Sequence, residues 1–394
     1  MIETATRLGS VDTIPENQLI SDAMLATLAS QHGTPLYVYN LARLRSRLLE
    51  IQHAFAKSDV SLFFATMAND RLPVLQMLAA YGVGACVNSI PHLRMAGEAG
   101  FSNCKIQFTS TGITENDMRV LQHAGIRTNL DSLSQLKAWF ELGAPEGGLR
   151  INASSLGAGL EKNRIGVPAS SVQEALAMAA TLGRSLAGLH IYLGTNFQRP
   201  EPMLPTLSAF FELAASIPSL RYINIGGGIG VNYQHEGAEF DIHFFGRSIE
   251  FLVNQLQTSL GRHIDVVFEP GRGLAAGCGT FVTSVTDVKD LDGEQIAVVD
   301  GSVAIFPRPF HHPETPHRIR HIGTKECLTE KETPTKTLVV GRTTFSRDIL
   351  GSALLNYDLK VGELLAFDNA GAYSQSMASR FLGQAEPHVE YVNR

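Results

Sequence analysis

The sequence predicts an α/β protein built as a parallel (β/α)8 barrel followed by a smaller, mostly β domain. Eight short apolar runs alternate with helix-length segments between residues 61 and 268, as a barrel requires. Beyond residue 275 the alternation gives way to closely spaced strand-like pieces without helices between them. Glycines, a carboxylate and an arginine fall where the barrel strands would end, which is where such barrels carry their chemistry.

The eight runs are "SLFFATM" (61–67), "GACVN" (84–88), "KIQFT" (105–109), "IRTNL" (126–130), "GLRIN" (148–152), "SLAGLHI" (185–191), "LRYINI" (220–225) and "HIDVVF" (263–268). Each is rich in β-branched or aromatic residues and too short to stand as a helix. Between them, 71–82, 132–143 and 169–183 read as helices, each closing on a glycine that can take up the left-handed conformation of a helix end. "GTFVTSVTDVKD", "EQIAVVDGS", "KTLVVGR" and "LKVGELLAFDN" then read as strands of the second domain, and the proline-rich 308–334 as a long loop. The expected organisation is an N-terminal segment over 1–35 packing on the β domain, a barrel over 36–275 and the β domain over 276–394.

Composition excludes several classes of function. The chain has 394 residues, 44% of them hydrophobic and 18% charged, and a formal net charge of −6, so it has no basic footprint for nucleic acid. Cys86, Cys104, Cys278 and Cys327 are widely spaced, which fits neither a disulfide framework nor a structural zinc site. With no signal-like N-terminus and no apolar run near the length of a membrane span, the expectation is a cytoplasmic protein without membrane or metal.

The expected rim is Met67, Asn88-Ser89, His190 to Thr195, Gly226-Gly227-Gly228 and Glu269 to Arg272. Successive glycines let backbone N–H groups close around an anion such as phosphate, although a tight turn alone also uses them. "FEPGRG" places Glu269 and Arg272 within a turn: the carboxylate can favour a protonated heteroaromatic nitrogen and the arginine can pair with phosphate, or the two can simply pair with each other. In "LHIYLGTN", His190 and Tyr192 share a strand face; Tyr192 can stack on a flat ligand and Thr195 can donate to phosphate, while His190 reads as core. Tyr373 lies in a turn, and Arg342, Arg347 and Asp348 read as a charged loop.

The order of these motifs resembles the fold-type III pyridoxal-phosphate decarboxylases, the group that contains diaminopimelate and ornithine decarboxylases. The resemblance runs from "HGTPLYVYN" (32–40) to "GAYSQSMASRFLG" (371–383) and rests on "GGG" at 226–228, "EPGR" at 269–272, "DG" at 300–301 and "GAY" at 371–373. It implies that Gly227, Gly228, Arg272 and Tyr373 hold the cofactor phosphate, that Glu269 faces the pyridine nitrogen and that Asp300 lies near a small amino acid or amine substrate. It also implies a homodimer whose sites are completed by the partner's β domain near 341–348.

The departures form a set. "FFATMAND" stands where the family reads approximately "YAVKAN", so the lysine that holds the cofactor covalently is Met67. Cys86 replaces an aspartate, His92 a glutamate and Tyr192 the histidine that stacks on the ring; Thr344 and Phe345 replace a cysteine and the acidic residue after it. A buried aspartate that loses its ammonium partner becomes a costly unpaired charge, so losing the pair together keeps the site neutral. The expectation is an atypical decarboxylase-like enzyme that holds pyridoxal phosphate noncovalently. The alternatives are a non-catalytic binding or regulatory protein on the same scaffold and a different activity that does not use this cofactor.

Overall fold

The computed structural model describes residues 20–157, 163–234, 239–323, 334–355 and 357–393. Strand β1 (Leu36–Asn40) is followed by β2 (Val60–Ala65), β3 (Gly84–Val87), β4 (Ile106–Thr109), β5 (Arg127–Leu130), β6 (Glu146–Asn152), β7 (Ser185–Tyr192), β8 (Tyr222–Asn224) and β9 (Asp265–Phe268). Strands β2 to β9 close into a parallel barrel, with β9 pairing back onto β2, so each predicted run supplies one stave.

The barrel interior is filled from alternate positions. Gly148 and Gly188 leave the space taken by Tyr222: a Cβ at either would lie 2.1 Å from its ring or hydroxyl. The Tyr222 hydroxyl donates to Asn129 Oδ1 at 2.8 Å. On the same alternation Gln107, Cys86, Arg150, His190 and Asn224 face inward towards the strand ends. The helices are closed by their own sequences. The helix Glu115–His123 has a reciprocal cap between Thr114 and Asp117, and the helix Ile242–Leu260 ends on Gly261 at φ 65°.

The second domain contains β10 (Gly279–Leu291), β11 (Glu294–Val299), β12 (Ile319–Ile322), β13 (Thr335–Val340), β14 (Ile349–Leu355), β15 (Leu364–Phe367) and β16 (His388–Val392), in the order β12-β15-β10-β11-β13-β14. Strand β1 joins this sheet, antiparallel to β10 and parallel to β16. The barrel therefore begins beyond residue 40 rather than at 36, because β1 finds its hydrogen-bond partners in strands distant in sequence. The segment read as a loop over 308–334 also carries structure. Arg308–His311 is a helical turn and β12 pairs with β15; residues 324–333, with Cys327, lie outside the described residues.

Tyr37, Phe281, Phe306 and Phe367 form the aromatic centre of this domain, with Phe281 and Phe306 stacked at 4.6 Å. Each ring buried there contributes about 2–3 kcal/mol. The helix Asp22–His32 lays Leu25 and Ala29, with Ile20, against Leu36, Val38, Val282, Ile322 and Ala366 of the sheet. The turn after β2 is clasped by the second domain. Asn69 Nδ2 donates to Gly371 O at 2.9 Å, the Tyr373 N–H to Ala68 O at 2.8 Å, and Ser376 Oγ to Met67 O at 3.1 Å. No helix among the described residues is long and apolar enough to cross a membrane.

Candidate active site

Glu269 follows β9 and is held at both ends. Its N–H donates to Gly226 O at 2.8 Å. Asn224 Nδ2 donates to its Oε1 and also to Gln107 Oε1 at 2.8 Å, while Asn224 Oδ1 accepts from the Gly226 N–H at 2.9 Å. The Cys86 thiol neighbours the same carboxylate, and His190 Nε2 faces Oε2 at 3.6 Å. Burial alone would raise the Glu269 carboxyl, but His190, Cys86 and Asn224 outweigh it and hold the group below the ordinary glutamate range. Burial pushes His190 down, against the pull of the Glu269 carboxylate, and its Nδ1 has no partner. Glu269 is thus a buried carboxylate whose one ionisable partner at ion-pair distance among the described residues is His190.

The anion side of the mouth is built from backbone and from guanidinium groups. Gly226 and Gly228 have φ of 65° and 96°, and a Cβ at Gly227 would lie 2.2 Å from Glu269 O, so only glycine permits this approach of the two strand ends. Arg272 is buried; it donates to the Tyr233 hydroxyl at 2.8 Å and to Thr195 Oγ1 at 3.4 Å, and lies 4.8 Å from the centre of the Tyr373 ring. Its Nε has no partner. Arg308, fully buried, stacks on the opposite partner of this group, 3.3 Å from the Tyr233 ring centre, and donates to Thr315 O and Oγ1 at 2.8 and 2.7 Å. Burial lowers Arg308 to about 10 and raises the Tyr373 phenol to about 12. Arg308 is therefore charged at neutral pH, and the hydrogen bonds of both guanidiniums go to neutral oxygens. The site suits a dianion.

Three of the substituted positions, Met67, Cys86 and His92, are connected through Thr66. Met67 is 36% exposed at the end of β2. Beside it Thr66 donates through both N and Oγ1 to Cys86 O at 3.1 Å, and its Oγ1 lies 3.0 Å from His92 Nδ1. Cys86 is buried; burial and the neighbouring Glu269 raise its thiol well above the ordinary range, so it is a neutral donor. Tyr192 lies under the Arg150 guanidinium at 5.6 Å, and Arg150 reaches Asp131 at 3.4 Å.

Asp300 does not share this cluster. Its Oδ2 accepts from Thr34 Oγ1 and its Oδ1 from Thr283 Oγ1, both at 2.5 Å, and the Ser284 N–H adds a third bond at 3.0 Å. It ties the N-terminal turn to β10. Thr344 and Phe345 are on the loop 341–348, organised by buried Asp348, which accepts from the Val303 N–H at 2.7 Å and from Thr343. Phe345 packs on Phe310 and Phe381 at 5.7 and 5.8 Å, and Arg347 lies over Phe310 at 4.6 Å. Thr344 and Arg342 are exposed.

Arg150, Arg308 and Asn224 were not identified from sequence. For Arg150 a signal existed: it stands two residues from Gly148 on the inward face of a barrel strand, where a charge requires a purpose. Arg308 falls in a proline-rich stretch that gives no period to interpret.

A barrel mouth that pairs a backbone cradle for a dianion with a buried carboxylate for a basic ring defines a pyridoxal-type cofactor barrel. The chain belongs to the pyridoxal-dependent decarboxylase family, whose pyridoxal-binding domain matches residues 41–276. Among its relatives is diaminopimelate decarboxylase of Methanothermobacter thermautotrophicus, 29% identical over 94% of this chain and 89% of the relative. The structure of diaminopimelate decarboxylase from Helicobacter pylori complexed with L-lysine superposes with a TM-score of 0.79 at 26% identity, covering 91% of each chain. A lysine/ornithine decarboxylase from Vibrio vulnificus complexed with putrescine shares the fold at 19% identity, with a TM-score of 0.81 over 94% of this chain and 98% of that one. The family cofactor is pyridoxal phosphate. The residues present fit it: the glycine cradle and Arg272 match the phosphate, and Glu269 matches a protonated ring nitrogen.

Proposed function

We propose that the chain is a divergent member of the decarboxylase family that holds pyridoxal phosphate without a covalent bond and acts on a small amino acid or amine. The carrying observation is that Glu269 remains ionised and buried beside an intact anion cradle while residue 67 is a methionine. A buried, ionised carboxylate at the barrel mouth is placed to meet a cationic group of a ligand, and a pyridinium nitrogen is such a group. When bound, the cofactor supplies an electron sink for a bond broken at the α-carbon of an amine.

The protein's part is binding and orientation. The Gly227 and Gly228 amides, Thr195, Arg272 and Tyr373 grip the phosphate; Glu269 keeps the ring nitrogen protonated; Tyr192 flanks the ring. Met67 can neither form a covalent link nor move a proton, because a thioether has none to give. The loop 341–348 of a second copy completes the site in a homodimer. It offers the aromatic cluster of Phe310, Phe345 and Phe381, while the Asp348 carboxylate is engaged within the loop, so a substrate with a cationic distal end finds little to pair with there.

A second candidate is a binding or regulatory protein on this scaffold, favoured by the same methionine and by the neutral Cys86 thiol. The separating experiment is Met67→Lys. If the pocket accepts the cofactor, this variant gains an imine absorbance band and a borohydride-stable adduct at residue 67; turnover of an amino acid by the unmodified chain then distinguishes enzyme from binder. Absence of the band in the variant overturns the cofactor assignment.

A further inference from the structure

We propose that His32, His388 and Glu390 form a surface site for one divalent transition-metal cation such as Zn2+, which fastens the N-terminal helix to the last strand. The three side chains come from opposite ends of the sequence and are brought together by the sheet. His32 is the last residue of the helix Asp22–His32, and Gly33, at φ 77°, turns the chain into β1. Parallel pairing sets Leu36 against His388 and Val38 against Glu390, so the two ligands of β16 project from one face two residues apart. The helix end returns over that face.

Their donor atoms converge. His388 Nε2 lies 2.6 Å and His32 Nε2 3.4 Å from the same Glu390 oxygen, and all three ligand atoms lie within 4.8 Å of one another. Ligands about 2.0–2.2 Å from a tetrahedral zinc are themselves about 3.3–3.5 Å apart, so the observed separations need only small side-chain rotations. The two rings are stacked at 4.4 Å and 7° from parallel. Because a cation binds in the plane of each imidazole, one ring must turn out of this stack about χ2 for both to reach the same ion. Two imidazoles and one carboxylate suit zinc, copper or nickel rather than magnesium or calcium. The partial exposure of all three leaves the fourth position to water.

Without a cation the cluster can be held by one protonated imidazole bonded to Glu390, so the decisive experiment separates a metal site from an ion pair. Full-length, untagged protein stripped with EDTA is titrated with ZnCl2 by calorimetry at neutral pH, without pyridoxal phosphate, and its Tm is followed with and without zinc. One equivalent is taken up per chain with micromolar affinity, and Tm rises because the cation binds the folded state. His32→Ala and His388→Ala each weaken binding by at least ~10-fold and abolish the Tm rise, because two ligands do not hold the ion as three do. Far-UV circular dichroism verifies that both variants are folded. No saturable uptake below roughly 100 µM zinc, or the same uptake in the His32→Ala/His388→Ala double variant, overturns the proposal. It is independent of what occurs in the barrel mouth.

Discussion

Asn224 links the two halves of the barrel-mouth site: its amide nitrogen donates to the Glu269 carboxylate while its amide oxygen accepts the Gly226 N–H. The group that would meet a ring nitrogen and the turn that would meet a phosphate are thus set by one side chain at the end of β8. Asn224→Asp loses the donor and places a second carboxylate against Glu269. We expect pyridoxal phosphate affinity to fall by at least ~10-fold with the far-UV spectrum unchanged, read by fluorescence quenching.

Cys86 tests whether residues 67 and 86 act as a pair. The buried thiol neighbours Glu269, so an aspartate at this position would set two carboxylates close together with no ammonium between them. Cys86→Asp is expected to destabilise the chain by about 2–4 kcal/mol in urea unfolding. Combined with Met67→Lys, the loss should shrink by about 1–3 kcal/mol, a coupling that a double-mutant cycle measures.

Arg272 should discriminate phosphate from its absence. The wild-type chain is expected to prefer pyridoxal phosphate over pyridoxal, and Arg272→Met to lose about 2–3 kcal/mol of that preference while binding pyridoxal as before. Arg308→Met acts through Tyr233, on which Arg308 stacks and to which Arg272 donates, and gives a smaller loss in the same assay.

His317 makes stability depend on pH. It is buried, its Nδ1 is bonded to Asp368 O at 2.6 Å, and burial next to Arg308 lowers it to about 3. In the unfolded chain a histidine takes up its proton near pH 6.5. Between these values the unfolded state binds more protons, so the contribution is full above about pH 6.5 and is lost as pH falls towards 3. The size is of order 3–5 kcal/mol. Tm should fall across this window, and His317→Gln should flatten the slope. Glu269 adds to acid loss only lower down, since its carboxyl lies below the ordinary glutamate range and its stabilisation disappears as pH falls through that lowered value.

The barrel was legible because its strands are buried on both faces and read as unbroken apolar runs such as "SLFFA" and "DVVF". The expected barrel boundary at 36 took in β1, whose pairing with β10 and β16, hundreds of residues away, places it in the second sheet. Strand β12 carries the sequence "IRHI", whose charges hide a short edge strand held by β15. Within the site, Glu269, Arg272 and the glycines were identified by their motifs. Arg308 and Asn224 were not, because a single polar residue in a strand or turn does not declare which partner the fold will bring to it. The bonds of Asp300 to Thr34 and Thr283 were equally unannounced, because they join residues far apart in the sequence.

The central claim is that the cofactor pocket persists without its covalent anchor. The most direct measurement is titration of the unmodified chain with pyridoxal phosphate, followed by borohydride reduction and peptide mass spectrometry. The expected result is saturable binding of one equivalent per chain that washes out on desalting and leaves no reduced adduct on any lysine. A stoichiometric adduct at a single lysine, or no saturable binding at all, would contradict it.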